Sequence, residues 1–248
     1  MYIISNSLIS DSYNFFKNQL NDIFLLSLIS ATISLILYYF FVPLQEVETI
    51  IKNFMNQNHS ISLSNWINQL SEKEISIIMR VSLLSFTAIF IGLILLVSSV
   101  LTYLLEITKG NHIHVLQAFI LSLNTLPKMI ILLIICSIII YFGFIFFILP
   151  GIIFAIGFSL SPIILINVKN IMPLLAITKS FEIAFRHWWL ILSILLFWVV
   201  LQIFITVFIG KLHIFPSIIN NLISFTSNNL LTSFILIYFF RLYMLDKK

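Results

Sequence analysis

The chain has 248 residues, of which 60% are hydrophobic and 9% charged, with a formal net charge of +4. A soluble globular domain carries roughly a quarter charged residues, so a dissolved state is excluded and the apolar excess must face lipid. The expectation is an all-α integral membrane protein, one domain over residues 1–248, with no nucleic-acid partner.

The first basic side chain is Lys17. A cleaved signal peptide needs a positive start ahead of its apolar core, so none is expected. The stretch "SYNFFKNQLND" reads as an amphipathic interfacial helix. It leads into a first span over residues 23–42, ended by Pro43. "LQEVETIIKNFMNQ" follows, with Leu44, Val47, Ile51, Phe54 and Met55 on one face. It is expected to lie on the outer surface. Ser71 and Glu74 have capping-box spacing ahead of the second span, residues 81–105. A second amphipathic stretch, "VLQAFILSLNTLPK", sets Leu116, Phe119, Ile120 and Leu123 at helical spacing.

No charged residue lies between Lys128 and Lys169, a run of 40 residues. One crossing needs about 20 residues at roughly 1.5 Å rise each. Forty therefore make two spans, 129–149 and 152–168, with no polar loop between them. Pro150 and Gly151 are expected to form the turn, since proline suits its second position and glycine its third. The alternative is a single proline-kinked helix of about 60 Å, twice the hydrocarbon thickness. In the hairpin reading Lys128 and Lys169 share one side of the membrane.

The third amphipathic stretch, "PLLAITKSFEIAFRHWW", places Leu174, Ile177, Phe181, Ala184, Phe185 and Trp188 on one broad face. The fifth span covers residues 190–209, closed by Gly210, and the sixth covers 222–245. Six crossings put both ends on one side. With that side cytoplasmic, nine Lys and Arg flank the spans inside and four flank them outside. This is the bias expected of a chain with both termini in the cytoplasm. Ser12, Ser122 and Ser180 each precede a basic residue (Lys17, Lys128, Arg186) by five or six positions. The chain thus reads either as three parallel units, each an interfacial helix and two spans, or as the general habit of spans to carry such flanks.

The third stretch holds most of the candidate chemistry. Glu182 and Arg186 are four apart and can pair, while Lys179 and Arg186 face headgroups beside Trp188 and Trp189. Lys179, Arg186 and Arg241 are the residues expected to contact lipid headgroups or a partner. Anchoring alone is the plainer reading. Arg241, inside "LIYFFRLYML", is expected to snorkel to phosphate or to pair with Glu106 or Glu182. Gln202, Asn228 and Asn229 suit hydrogen bonds between helices. Gly151, Ala155 and Ser159 form a small-residue stripe. No acidic, Lys or His side chain lies near a span centre, where ion-coupled pumps carry them. Cys136 is the single cysteine, so neither an intrachain disulfide nor a cysteine metal cluster is possible. His112, His114 and His187 make no convincing metal site. No catalytic residues, cofactor or metal are expected.

Four stretches carry a resemblance: "NFFKNQ" at 14–19, "LPK" at 126–128, "LPGII" at 149–153 and "LIYFFRLYML" at 236–245. On these the chain resembles the YciC family of uncharacterised multi-pass inner-membrane proteins of enterobacteria and their relatives, over its full length. The resemblance implies a bacterial inner-membrane protein and brings no catalytic residues. The wealth of Ile, Phe, Ser and Asn, where relatives tend to have Ala and Gly, would suit an AT-rich, reduced-genome member. The functional expectation is a non-enzymatic protein that organises membrane lipids or a membrane partner. A transporter for an apolar or lipid-like molecule is the alternative. Convergence of Gln202, Asn228, Ser98 and Ser159 on one cavity would favour transport, and their scatter among helix contacts would favour the structural role.

Overall fold

A computed structural model of the chain describes residues 5–57, 70–111, 113–168, 170–211 and 216–247, with the side chains of residues 5, 6, 51 and 53–57 outside the description. Among the described residues the protein is all helical. Its elements are α1 (Ser5–Asn18), α2 (Leu20–Phe41), α3 (Leu44–Gln57), α4 (Glu72–Thr108), α5 (Val115–Ser122), α6 (Leu126–Phe146), α7 (Ile148–Phe158), α8 (Ser161–Asn167), α9 (Pro173–Arg186), α10 (Trp188–Lys211) and α11 (Ser217–Asp246). Six helical stretches are long and apolar enough to cross a membrane: α2, α4, α6, α7 with α8, α10 and α11. They match the six expected spans. Several run longer because the ends continue as helix into the interfacial flanks.

The chain forms two compact units, Thr32–Gly92 and the remainder. In the smaller unit, Ser71 caps α4 as expected. Its backbone N–H donates to Glu74 Oε2 at 2.9 Å, and its hydroxyl reaches the same oxygen at 2.8 Å. Arg80 pairs with Glu46 at 2.6 Å and Lys52 with Glu48 at 2.7 Å. The hydrogen bond from Lys52 holds the Glu48 carboxyl below its ordinary pKa. Both pairs are exposed, and such pairs add little stability. On α3, Leu44 and Val47 are half-buried and Ile50 is buried. The side chains of Ile51, Phe54 and Met55 lie outside the described part.

In the larger unit the hairpin of spans three and four is present, but its turn is not Pro150–Gly151. α6 ends at Phe146, Phe147 alone is extended (φ −159°, ψ 150°), and α7 begins at Ile148. Pro150 therefore sits in the first turn of α7. No intrahelical acceptor awaits its N–H there, so the missing donor removes an orphan that lipid could not satisfy. Gly151 is a packing residue instead. A Cβ on it would lie 2.5 Å from the Phe144 ring, and one on Gly143 would lie 3.0 Å from the Gly151 Cα. The two arms of the hairpin touch backbone to backbone, the usual use of small residues where no water drives helices together.

The fourth span is broken. α7 stops at Phe158, and α8 starts at Ser161 with Pro162 in its first turn. Proline cannot donate to the turn before it, which explains the interruption. Of the expected small stripe, Gly151 meets α6, while Ser159 turns its hydroxyl to its own Ile156 carbonyl at 2.8 Å.

The interfacial helices appear at the expected places, but their faces are turned. On α5, Leu116, Ile120 and Leu123 point outward and Val115, Ala118 and Ser122 are buried. On α9, the buried face is Ala176, Ile177, Ser180 and Ala184, while Leu174 and Phe185, and Trp188 at the start of α10, are exposed. On both helices Ala and Ser side chains take part in the contact with the protein while several large apolar ones face outward, as a helix lying against lipid allows. Ser12, Ser122 and Ser180 are all fully buried, and each hydroxyl donates to a backbone carbonyl.

Candidate functional site

Several charged residues of the larger unit gather at the C-terminal end of α11, where it meets α1 and the end of α9. α9 ends at Arg186, and His187 follows as its cap. The helix dipole favours cations there. His187 Nε2 lies 2.9 Å from Asp246 Oδ1, and Arg186 Nη1 lies 3.5 Å from Asp246 Oδ2. A carboxylate only accepts, so His187 Nε2 carries the proton of that bond. Asp246 closes α11, so this cluster fastens two helices whose partners are about 60 residues apart in sequence. The expected Glu182–Arg186 pair does not form. Glu182 is exposed, and Arg186 turns to Asp246 instead, because a tertiary acceptor lies within reach.

Arg241 takes neither of the expected carboxylates. Its guanidinium carbon stands 4.9 Å from the centroid of the Phe15 ring on α1, a cation–π contact. Phe16 meets Phe234 of α11 edge to face at 5.6 Å. Lys179 is exposed on the outer surface of α9, seven residues before Arg186 and on the same face. The structure thus brings Arg186 and Arg241 to one end of α11 and leaves Lys179 two turns away along α9.

Two further polar clusters in the larger unit were not foreseen. The buried Tyr103 hydroxyl donates to Asp22 at 2.5 Å and lies 2.8 Å from the Gln19 amide, joining the start of α2 to the end of α4. Glu106 pairs with Lys109 at 2.6 Å and accepts from Asn111 at 2.8 Å. Gly110, at φ +85°, stops α4 beside them. The available signal was weak: polar residues just outside an apolar run, with nothing local to name their partners.

Beside the C-terminal end of α11 lies an open apolar groove of about 520 Å³ between α1, α10 and α11. Its floor is Ile194 (8% exposed), Tyr238 (2%) and Phe234. Its rim is Ile9, Tyr13, Trp189 and Phe197, each exposed by 45–63%.

Ser193 is the one span hydroxyl among the residues that line this groove, and Gln202, Asn228, Asn229, Ser98 and Ser159 are not among them. Gln202 bonds Thr232 at 3.3 Å and Asn228 bonds Thr206 at 3.2 Å, both joining α10 to α11. Asn229 donates to the Ser27 carbonyl at 3.1 Å, joining α11 to α2. Ser98 is buried in α4, and Ser159 bonds within its own helix. Among the described residues, no group of three or more His, Cys, Asp or Glu could hold a metal. His112 lies outside the described residues.

A family model described as an uncharacterised protein family, UPF0259, matches residues 1–245. A protein named UPF0259 membrane protein from Yersinia pestis (strain Pestoides F) is 34% identical over 249 residues, covering 99% of this chain and 96% of the relative. A relative of the same description from Yersinia pseudotuberculosis serotype O:1b (strain IP 31758) matches with the same identity and coverage. No solved structure matches.

Proposed function

The chain belongs to the uncharacterised protein family UPF0259, and from that premise we propose a non-enzymatic protein of the bacterial inner membrane that organises anionic lipid, or a membrane partner, at its basic interfacial face. Lys179, Arg186 and Arg241 are the contact residues in this reading. One observation carries it: the amide side chains of the spans are taken up in helix–helix joints, Gln202 and Asn228 between α10 and α11 and Asn229 between α11 and α2, and are not among the residues that line the groove. A permease for a polar or ionic solute needs them to converge, and an enzyme needs a nucleophile or acid–base pair in reach of one another. Meanwhile α9 offers an exposed basic face beside exposed tryptophans, the composition of a lipid-contacting helix.

Both termini are cytoplasmic in this reading. Nine basic residues flank the spans on that side and four on the other, and anionic lipid of the inner leaflet is then their counter-charge. A reporter fused after Lys248 is expected to be active only in its cytoplasmic form, and activity only outside the cytoplasm would overturn the orientation.

The lipid reading is tested on protein extracted in mild detergent. Phosphatidylglycerol is expected to be enriched over its share of the bulk membrane. The double variant Lys179→Gln/Arg186→Gln is expected to lose about thirtyfold of that enrichment, since each cation near a charged leaflet contributes about 1 kcal/mol. A bound-lipid composition equal to that of the bulk membrane would overturn the proposal.

A further inference from the structure

Resting on the lipid reading above and deepening it, we propose that the groove between α1, α10 and α11 holds one acyl chain of an anionic phospholipid, with its phosphodiester on the Arg241 guanidinium. The cavity has the size of small-molecule sites, about 300–1,000 Å³. It is floored by buried apolar side chains and open along a rim of Tyr13, Trp189 and Phe197. Tyrosine and tryptophan on that rim suit the depth at which acyl chains give way to headgroups.

Arg241 is not itself a lining residue but lies one turn beyond Tyr238, next to the groove along α11. Phe234, Tyr238 and Arg241 follow at i, i+4 and i+7 on one face of α11, so the guanidinium stands a turn beyond the last ring of the floor. It is half-buried, and among the described residues it has no carboxylate partner. Asp246, the acid one turn further on, is engaged by His187 and Arg186. A ring face attracts the cation but leaves the fork of N–H donors free, and phosphate oxygens match that fork in pairs. An uncompensated cation at the mouth of an apolar groove selects an amphiphile with a negative head. A choline headgroup offers the same phosphate but adds a positive charge beside it, and a free phosphate does not fill the groove.

The test uses the full chain in detergent, with dioleoyl-phosphatidylglycerol and dioleoyl-phosphatidylcholine as probes and native mass spectrometry as the readout. The unaltered protein is expected to retain phosphatidylglycerol in preference to phosphatidylcholine. Arg241→Gln is expected to lower phosphatidylglycerol retention about fivefold, the contribution of one cation, and to lower phosphatidylcholine retention less, so that the preference between them shrinks. Ser193→Trp, which fills the groove from α10, is expected to lower retention of both lipids together. Ile9→Trp fills it from the opposite wall with the same expected result, and serves if the first variant does not elute as a single species. Retention at the unaltered level in both Arg241→Gln and a filled-groove variant overturns the groove. If Lys179→Gln/Arg186→Gln lowers the preference while those variants do not, the groove alone falls. If the unaltered protein shows no preference for phosphatidylglycerol, the groove and the wider lipid reading fall together.

Discussion

Replacing Gly157 by leucine is expected to be among the most damaging single changes in the protein. A Cβ at this position would lie 2.5 Å from the Phe181 ring of α9. That ring cannot easily move aside. It packs edge to face against Phe154 and Phe158 of α7, with centroids at 6.3 and 5.2 Å, and stacks on Phe185 at 5.4 Å. The Gly157 carbonyl also accepts the buried Ser180 hydroxyl at 2.5 Å, so pushing α9 away breaks that bond as well. Overpacking a close contact costs about 1–3 kcal/mol, and an unpaired buried hydroxyl adds a further ~1 kcal/mol or more. Thermal unfolding in detergent should show a midpoint several degrees lower, with part of the sample leaving the monodisperse peak. Gly210→Ala is the control. A Cβ there meets nothing within 4 Å, so the gain in helix propensity should leave stability unchanged or raised by up to about 1 kcal/mol. Equal behaviour of the two variants would mean that α7 and α9 do not pack as described.

The second large effect is expected at Tyr103. This side chain is buried, and its hydroxyl donates to Asp22 at the entry to the first span. Tyr103→Phe keeps the ring and removes only the hydroxyl, with its contacts to Asp22 and Gln19, leaving a half-buried carboxylate short of a partner. A hydrogen bond to a charged group is worth about 1.5–3 kcal/mol. The loss should appear as a lowered unfolding midpoint. Combining it with Asp22→Asn should cost less than the sum of the two single changes, because both remove the same contact. Strict additivity would show that the two groups act independently.

Much of the architecture was legible because lipid imposes a crude rule: about 20 apolar residues without charge make a crossing. The six spans follow from that rule, as does the hairpin, since 40 uncharged residues exceed one membrane thickness. The turn was misplaced because proline and glycine carry two messages. Together they can make a turn, but proline equally opens a helix and glycine equally allows two backbones to touch. The Phe144 ring against Gly151 decides in favour of the second meaning, and nothing near position 151 in sequence announces it.

The amphipathic helices were found by periodicity, yet the direction of their faces was not. In water an apolar stripe seeks the core. In a membrane it is equally content against lipid, so Leu116 and Ile120 face outward while Ala118 and Ser122 face the protein. Arg186 illustrates the other limit. Its local partner, Glu182, obeys the four-residue rule, but the acid it meets is Asp246, supplied by the way α9 and α11 pack. The apolar groove was invisible for the same reason, since α1, at the start of the chain, closes it against α10 and α11, nearly 200 residues away.

The single-residue link at Phe147 has a consequence for what lies on the far face of the membrane. Phe146, Phe147, Ile148 and Leu149 are each 70–74% exposed, and a greasy tip of that kind is unwelcome in water. From Lys128 the helix climbs about 28 Å to reach it, just short of the roughly 30 Å hydrocarbon layer. The Phe147 N–H is already satisfied by the Gly143 carbonyl at 3.1 Å, so the bend does not require solvent. Proteases, antibodies and membrane-impermeant labels are therefore expected to find no handle here, as for a polypeptide that reverses course while still submerged.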